Sequence, residues 1–504
     1  MIDILICSVP SGIINRPPAA PALLKGCVIK SGFAAKTIDF SLLLFTDFCG
    51  SDYAEYDKIN RLFDIDMPWN DNPIIYAWLE KCIEVIKDTQ PKFLGISVFS
   101  YAQHRCTFLL CKEIKKQLPN LPIILGGYGL SEKYKRSFYN FFHAAPMGSI
   151  EKFGDFMRVQ NLSEFIIYGE GEQQLIDVLA GKTSIADPVD LESIPTSNFD
   201  DYDLTQYLWH NEPVLTITGS KGCVRKCRFC NVPGKFGKYR QRSGKHIAQE
   251  IIDLSQRYNV YKFEFTDSLV NGNLKEFIAL IQILADYNSQ SSKPVTWYGQ
   301  YICRPQNQIP NGMYELIKKS GARHLIIGAE SGSDSVLEAM HKKITVKDIF
   351  DELDQFEKHD LQCQLLMLVG FYNETWDRFL ETLEFISKCH RYVASGTISK
   401  IAPGMPLVIE EGGYLHINSE DLGIIIDQNN IGNWKVINNL SFNWLERTRR
   451  KGIMHALLLL MNVSMTGNGI QEIQQLIEKL KAYEQQLRSP DSRFNLEQFE
   501  SGSH

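Results

Sequence analysis

The sequence predicts an α/β protein: a doubly wound parallel sheet over residues 1–186, a linker over 187–212, a partial (β/α)6 barrel over 213–409 and a mainly helical region over 410–504. Three observations lead there. Short apolar runs alternate with amphipathic stretches up to about residue 190, the pattern of a parallel sheet with crossover helices. A second alternation starts at Pro213, with six apolar runs at spacings of roughly 30–45 residues, each with helical periodicity before the next. Beyond Pro406 the strand signal fades.

In the first alternation, Ile2–Val9 reads as a strand, Pro18–Ser31 as a helix closed by Gly32, and Ala35–Asp39 as a second strand. Cys49 to Asn72 is acidic and aromatic, fits the scheme poorly, and is expected to be an insertion. Ile75–Asp88 is amphipathic, Phe93–Phe99 a strand, Thr107–Gln117 a helix, and Leu121–Leu125 a strand that ends at Gly126-Gly127. Phe165–Tyr168 leads through Gly169-Glu170-Gly171-Glu172 into a helix. Two glutamates repel phosphate but suit a helix N-terminus, so this turn is expected to pack domains together.

The second alternation offers strands at Val214–Thr218, Lys262–Thr266, Val295–Ile302, His324–Gly328, Gln364–Val369 and Gly396–Ile401. Helices are expected at His246–Tyr258, Leu274–Asp286, Met313–Ser320, Val346–His359 and Trp376–Cys389, then at Asn443–Val463 and Ile470–Leu487. Gly502-Ser503-His504 reads as a loose end.

Composition is ordinary for a globular chain of 504 residues: 44% hydrophobic and 22% charged, with a net charge of −6. That excludes a fibrous or mainly disordered chain, and no basic block marks a nucleic-acid surface. Twelve cysteines are too sparse for a disulfide scaffold. No signal peptide and no apolar run of membrane-spanning length is visible, so a cytoplasmic protein is expected, as a monomer.

The sharpest feature is Cys223-Val224-Arg225-Lys226-Cys227-Arg228-Phe229-Cys230, directly after the first strand of the second alternation. βα barrels carry their chemistry at that strand end. Three thiolates so close in sequence can wrap a metal or a cluster, and Arg225, Lys226 and Arg228 are expected to favour them. Zinc would need a fourth ligand that no nearby residue supplies, and three unrelated thiols are the bland alternative.

This C-x3-C-x2-C loop on a six-strand βα barrel resembles the radical S-adenosylmethionine (SAM) superfamily. The resemblance implies a 4Fe-4S cluster on Cys223, Cys227 and Cys230, an open iron that chelates SAM, and reductive cleavage to a 5′-deoxyadenosyl radical. Phe229 matches the aromatic that packs near adenine in that family. At later strand ends stand Asp267, Arg304 and Glu330-Ser331-Gly332, carboxylates and a cation of the types SAM's polar groups need. Ile327 to Asp334 resembles the family's Ile-Gly-x-Glu-Ser-Gly-Ser motif and implies SAM contacts at Glu330 and Ser331, with Asp267 and Arg304 as further candidates. Lys238 to Ser243 resembles the family's segment after the cysteines. Asp267 and Ser333 as caps, and Arg304 in an ion pair, are the structural alternatives. Two departures stand out: Val369-Gly370-Phe371-Tyr372-Asn373-Glu374-Thr375 lacks the usual Pro and Gly, and Ser268 replaces a frequent second Asp.

A doubly wound sheet before such a barrel resembles the cobalamin-binding subclass, with a Rossmann-like N-terminal domain. Gly95-Ile96-Ser97, Gly126-Gly127, the Gly169 to Glu172 turn and Phe199-Asp200-Asp201-Tyr202 carry that resemblance. It implies cobalamin near Ser97, Gly126 and Gly127, with small residues admitting a flat macrocycle. The subclass's Asp-x-His-x-x-Gly motif is missing, which leaves binding without a histidine on cobalt, or a domain that has lost cobalamin. His104 is the candidate near the ring, with a capping or surface role as its alternative. The other nine cysteines read as small core residues, with Cys303 at a strand end as a weak catalytic candidate.

The expected activity is cobalamin-dependent methylation, or radical rearrangement, at an unactivated carbon of a small-molecule or peptide substrate. Flavodoxin or ferredoxin is the expected electron donor. The alternatives are a cobalamin-free radical SAM enzyme whose first domain binds substrate, and a non-catalytic iron–sulfur or zinc module. The Glu330-Ser331-Gly332 motif argues against the module, which has no need of it.

Overall fold

The computed structural model describes residues 2–10, 14–64, 72–132, 152–182, 189–209, 212–410, 412–427, 430–463 and 474–482. Its first strand shows how an apolar run becomes the middle of a sheet. In β1 (Ile2–Ser8), Ile4 and Ile6 enter one core while Leu5 and Cys7 enter another. A parallel strand covered on both faces needs no polar alternation. β1 pairs with β2 (Ala35–Asp39) and β3 (Pro91–Ser97), followed by β4 (Ile123–Gly126) and β5 (Phe165–Ile167), in the order β2-β1-β3-β4-β5. Helices Ala19–Lys30, Pro73–Thr89, His104–Gln117, Phe153–Val159 and Glu172–Leu179 connect or flank them. Register places Ser8, Ser97, Gly126 and Ile167 in one row at the strands' carboxyl ends. Strand order reverses between β1 and β3, and doubly wound folds bind ligands in the crevice at such a point.

The expected insertion is part of this core. Helix Tyr53–Arg61 buries Tyr56 and Ile59, and Phe63 follows them; residues 65–71 lie outside the described residues. The expected linker is also packed. Asp201 accepts from Lys25 and from the amide of Thr37, while Asp200 accepts from Tyr258 and Arg257. Adjacent aspartates with partners on opposite sides make a rivet, and the apparent lack of periodicity reflects that irregular path.

The second sheet is parallel, built from β6 (Leu215–Ile217), β7 (Lys262–Phe265), β8 (Thr296–Tyr301), β9 (Ala322–Glu330), β10 (Gln362–Val369) and β11 (Ile398–Pro406), in the order β11-β10-β9-β8-β7-β6. This is the expected βα series. Between the strands run α1 (Gly244–Tyr258), α2 (Leu274–Gln290), α3 (Met313–Lys319), α4 (Val346–Lys358) and α5 (Trp376–Lys388). Alternation fixes the faces: Trp297 and Tyr301 of β8 meet Phe277 of α2, and Tyr301 also meets Phe356 of α4.

Contacts divide the chain into two compact units, residues 1–221, 239–267 and 290–296, and residues 222–238, 268–289 and 297–504. These units do not follow the boundaries read from the sequence. Beyond the barrel, Ile424–Asp427 and Asn430–Val436 form an antiparallel hairpin where mainly helix is expected. Trp434 of that hairpin is fully buried, which outweighs the polar turn residues around it. α6 (Trp444–Val463) and the helical residues 474–482 agree with the periodicity, and the ends of the expected second helix and the Gly502-Ser503-His504 tail lie outside the described residues. Among the described residues no helix is long and apolar enough to cross a membrane.

Candidate active site

The cysteine loop is closed at its base. Ser220 and Lys221 pair antiparallel with Gln241 and Arg240, so residues 222–239 leave and return through one short ladder. The turn before it needs glycine: a Cβ on Gly219 would stand 2.9 Å from Ile247 and 3.1 Å from an Asp267 oxygen, and Gly222 has φ +83°. Both ladder strands are held by the Gly169 to Glu172 turn. Lys221 lies 2.5 Å from Glu172 and 3.6 Å from Glu170, and Arg240 pairs with Glu170. That turn therefore packs against the loop's base.

Within the loop, the amide of Arg225 donates to Cys223 Sγ and that of Cys230 to the Cys227 carbonyl. Arg228 fixes the loop's middle: its amide donates to the Met340 carbonyl, its guanidinium to the Ala339 carbonyl, and it lies 5.1 Å from the Tyr414 ring centre. All three thiols are half-buried. Burial pushes the Cys227 thiol up to about 11 and Cys230 upward, and Lys342 opposes both shifts. Lys342, a residue the sequence did not single out, is a cation that acts on both of these thiols. Among the described residues no three metal-binding side chains converge on a single ion. A cubane spreads its thiolates wider than one zinc does, and three half-buried thiols on one short loop fit the larger group.

Lys342 joins the cysteine loop to the end of β9. Its Nζ is 2.9 Å from Glu330 Oε1 and 5.7 Å from the centre of the Phe229 ring. Burial alone would lower its pKa, but Glu330 and the thiols outweigh that and raise it. Glu330 takes φ +65°, and Gly328 leaves room for the pair: a Cβ there would stand 2.8 Å from Lys342 Nζ. Ser331 is fully buried, bonded to Thr382 Oγ1 at 3.1 Å and accepting the Ser333 amide. Its hydroxyl ties β9 to α5.

Two further expected ligand contacts are likewise engaged. Asp267 is 4% exposed, with one oxygen on the Gly219 amide and the other on Ser220 Oγ. Burial pushes it up to about 7. It holds the turn into the cysteine loop. Arg304 donates to the carbonyls of Asn271 and Gly272 and holds the chain after β7. The departure at 369–375 also has a structure. Glu374 accepts the Gly370 amide and pairs with Arg450, whose guanidinium also donates to the Glu374 and Thr375 carbonyls. A helix outside the motif thus closes the turn that Pro and Gly shape elsewhere. Cys303 is buried against the Asp348 carbonyl, with its thiol pushed well up by burial, as a core residue.

In the first sheet, Ser97 and Gly126 sit side by side at the strand ends. Gly127 has φ +122°, and its Cβ position is occupied by the Val98 carbonyl, so its own backbone requires glycine. His104 is fully buried, bonded through Nε2 to the Gly129 carbonyl and stacked 3.9 Å from Phe153. Burial lowers it to about 4, which makes it a neutral core histidine.

A three-cysteine loop after the first strand of a six-strand βα sheet, with a doubly wound sheet earlier in the chain, is the arrangement that the sequence motifs lead one to expect of the radical SAM class. The comparisons agree. Residues 217–386 match the family described as Radical SAM superfamily, which covers the cysteine loop and most of the second sheet. An uncharacterized methyltransferase of Pyrococcus horikoshii is 23% identical over 348 residues, which are 64% of this chain and 70% of that one. The radical SAM methyltransferase TsrM of Kitasatospora setae superposes with a TM-score of 0.57 at 15% identity, covering 84% of this chain and 79% of TsrM. OxsB, a cobalamin-dependent SAM radical enzyme, superposes at 0.61 with 14% identity, covering 94% and 70%. The chain spans 39–70% of the length of the first curated relatives it matches.

Proposed function

We propose that the chain is a cobalamin-dependent radical SAM methyltransferase acting at an unactivated carbon. The observation that supports this most is the extent of the fold likeness. It runs through both sheets, and both TsrM and OxsB have been solved with cobalamin bound. The crevice between β1 and β3, with Ser97 and Gly126 at its rim, suits a flat macrocycle. His104 is buried, bonded to the Gly129 carbonyl and stacked on Phe153, so it serves the core of this domain.

When bound, the cluster supplies the electron that cleaves SAM, and cobalamin carries the methyl group. Cys223, Cys227 and Cys230 would hold the cluster. Lys342 sets positive charge beside two of them and beside Glu330, where a zwitterionic ligand needs both signs. Phe229, close to Lys342, offers an aromatic face. Asp267, Ser331 and Arg304 keep the strand ends in place around them. A flavodoxin or ferredoxin is the matching reductant.

Anaerobic reconstitution with iron, sulfide and hydroxocobalamin tests the reading. The expected result is a cluster absorbance lost in a triple Cys223, Cys227 and Cys230 to Ala variant, one cobalamin retained per chain, and methyl transfer from SAM. Retained cluster with 5′-deoxyadenosine but no cobalamin would favour a cobalamin-free enzyme. Absence of iron would sink both.

A further inference from the structure

We propose that Gln300, Gln364 and Lys400 form the acceptor-substrate subsite and that the substrate carries a carboxylate. The proposal rests on the radical SAM reading above. Register pairs Gln300 with Ile326, Ile326 with Gln364, and Gln364 with Lys400, so the polar side chains share one row across β8 to β11. In the same strands Tyr301, Leu325, Leu365 and Ile401 are buried, and Tyr301 packs against the helices. Side chains alternate along a strand, so the row faces the inner surface of the sheet. Gln300 and Lys400 are exposed and Gln364 is half-buried.

Among the described residues, none of these three side chains has a hydrogen-bond or ion-pair partner. The contrast with nearby Lys342, paired to Glu330, is direct. A lone ammonium beside a free carboxamide offers four or more N–H donors and one amide oxygen, a set rich in donors. Adjacent strands lie about 4.8 Å apart, so Gln364 and Lys400 can each reach one oxygen of a single carboxylate. Gln300 lies two strands from Gln364, roughly 10 Å away, with Ile326 between them. The geometry selects a molecule with a carboxylate at one end, an apolar body, and a hydrogen-bonding group at the other.

The test uses the reconstituted holoenzyme with dithionite and SAM. A cell metabolite extract is split by anion exchange into anionic and non-anionic fractions, and part of the anionic fraction is treated to methylate its carboxylates. SAM-derived products are followed by mass spectrometry. Stimulation by the anionic fraction, abolished by esterification, supports the subsite. So does a rise of about tenfold or more in the amount needed for half-stimulation in Lys400→Met, recovered in Lys400→Arg. Stimulation that survives esterification, no stimulation by any fraction, or an unaltered Lys400→Met overturns it and leaves Lys400 as a charge guarding the sheet edge. Formation of 5′-deoxyadenosine without extract reports on the radical SAM reading by itself, so the two failures are distinguishable.

Discussion

Lys342 meets the Glu330 carboxylate and the Phe229 ring and opposes the upward shifts of Cys227 and Cys230. Replacing it with Met should raise the dissociation constant for SAM about tenfold or more, the worth of one charge-assisted hydrogen bond, and Arg should recover part of the loss. Equilibrium dialysis of the reconstituted protein measures both. Asp267 makes a second prediction. Its carboxyl is raised from 3.8 to about 7 by burial. Between those values the folded chain keeps a proton that the unfolded chain has lost, so stability falls as pH rises through that window, by up to about 4 kcal/mol. Asp267→Asn can still accept the Gly219 amide and donate to Ser220, so urea midpoints at pH 5 and pH 7.5 should differ less in the variant than in the parent. The cysteines were legible in the sequence because their spacing is chemistry in itself. Lys342 was not: it sits in His341-Lys342-Lys343, and only the turn with His341 at φ +58° and Lys343 at +58° selects which of the two lysines enters the interior.

At the scale of elements, strand and helix positions in the barrel follow from apolar periodicity, and the agreement extends to α5 and α6. What periodicity does not carry is how elements brace one another. The Gly169 to Glu172 turn reads as a helix start, yet its two glutamates grip Lys221 and Arg240, the strands at the base of the cysteine loop. The hairpin at 424–436 was missed because its polar turn and exposed Ile425 dilute the alternation, while burial of Trp434 against the Leu407 carbonyl and the Arg447 side chain supplies its stability. The brace predicts a specific defect. Glu170→Gln with Glu172→Gln leaves Lys221 and Arg240 half-buried without counter-charges, at a cost approaching the roughly 3–5 kcal/mol of a broken buried pair. The expected outcome is a faster loss of cluster absorbance on exposure to chelator, with the far-ultraviolet dichroism of the two sheets retained. Equal rates in parent and variant would show that the loop's base does not need the brace.

At the scale of the molecule, the chain does not divide where its sequence does. The compact unit that holds the first sheet also takes residues 239–267, and the reason is chemical. Ser197 donates its amide to Glu250, the Phe199 amide donates to the Tyr258 hydroxyl, and Asp200 accepts from Tyr258 and Arg257. Glu250 is 2% exposed and also pairs with Arg242. Cutting the chain at the apparent linker, after residue 212, removes every one of these partners, including the Tyr258 ring that packs on buried Phe199. The sequence hides this because each contact joins residues 53 to 59 positions apart, and a stretch with no periodicity of its own looks like a tether. A fragment of residues 1–267 should therefore unfold cooperatively in urea, whereas residues 1–212 should show a broader transition and bind a hydrophobic dye before it. Identical sharp transitions for the two fragments would mean that the first sheet is complete without α1 and that the sequence boundary is the physical one.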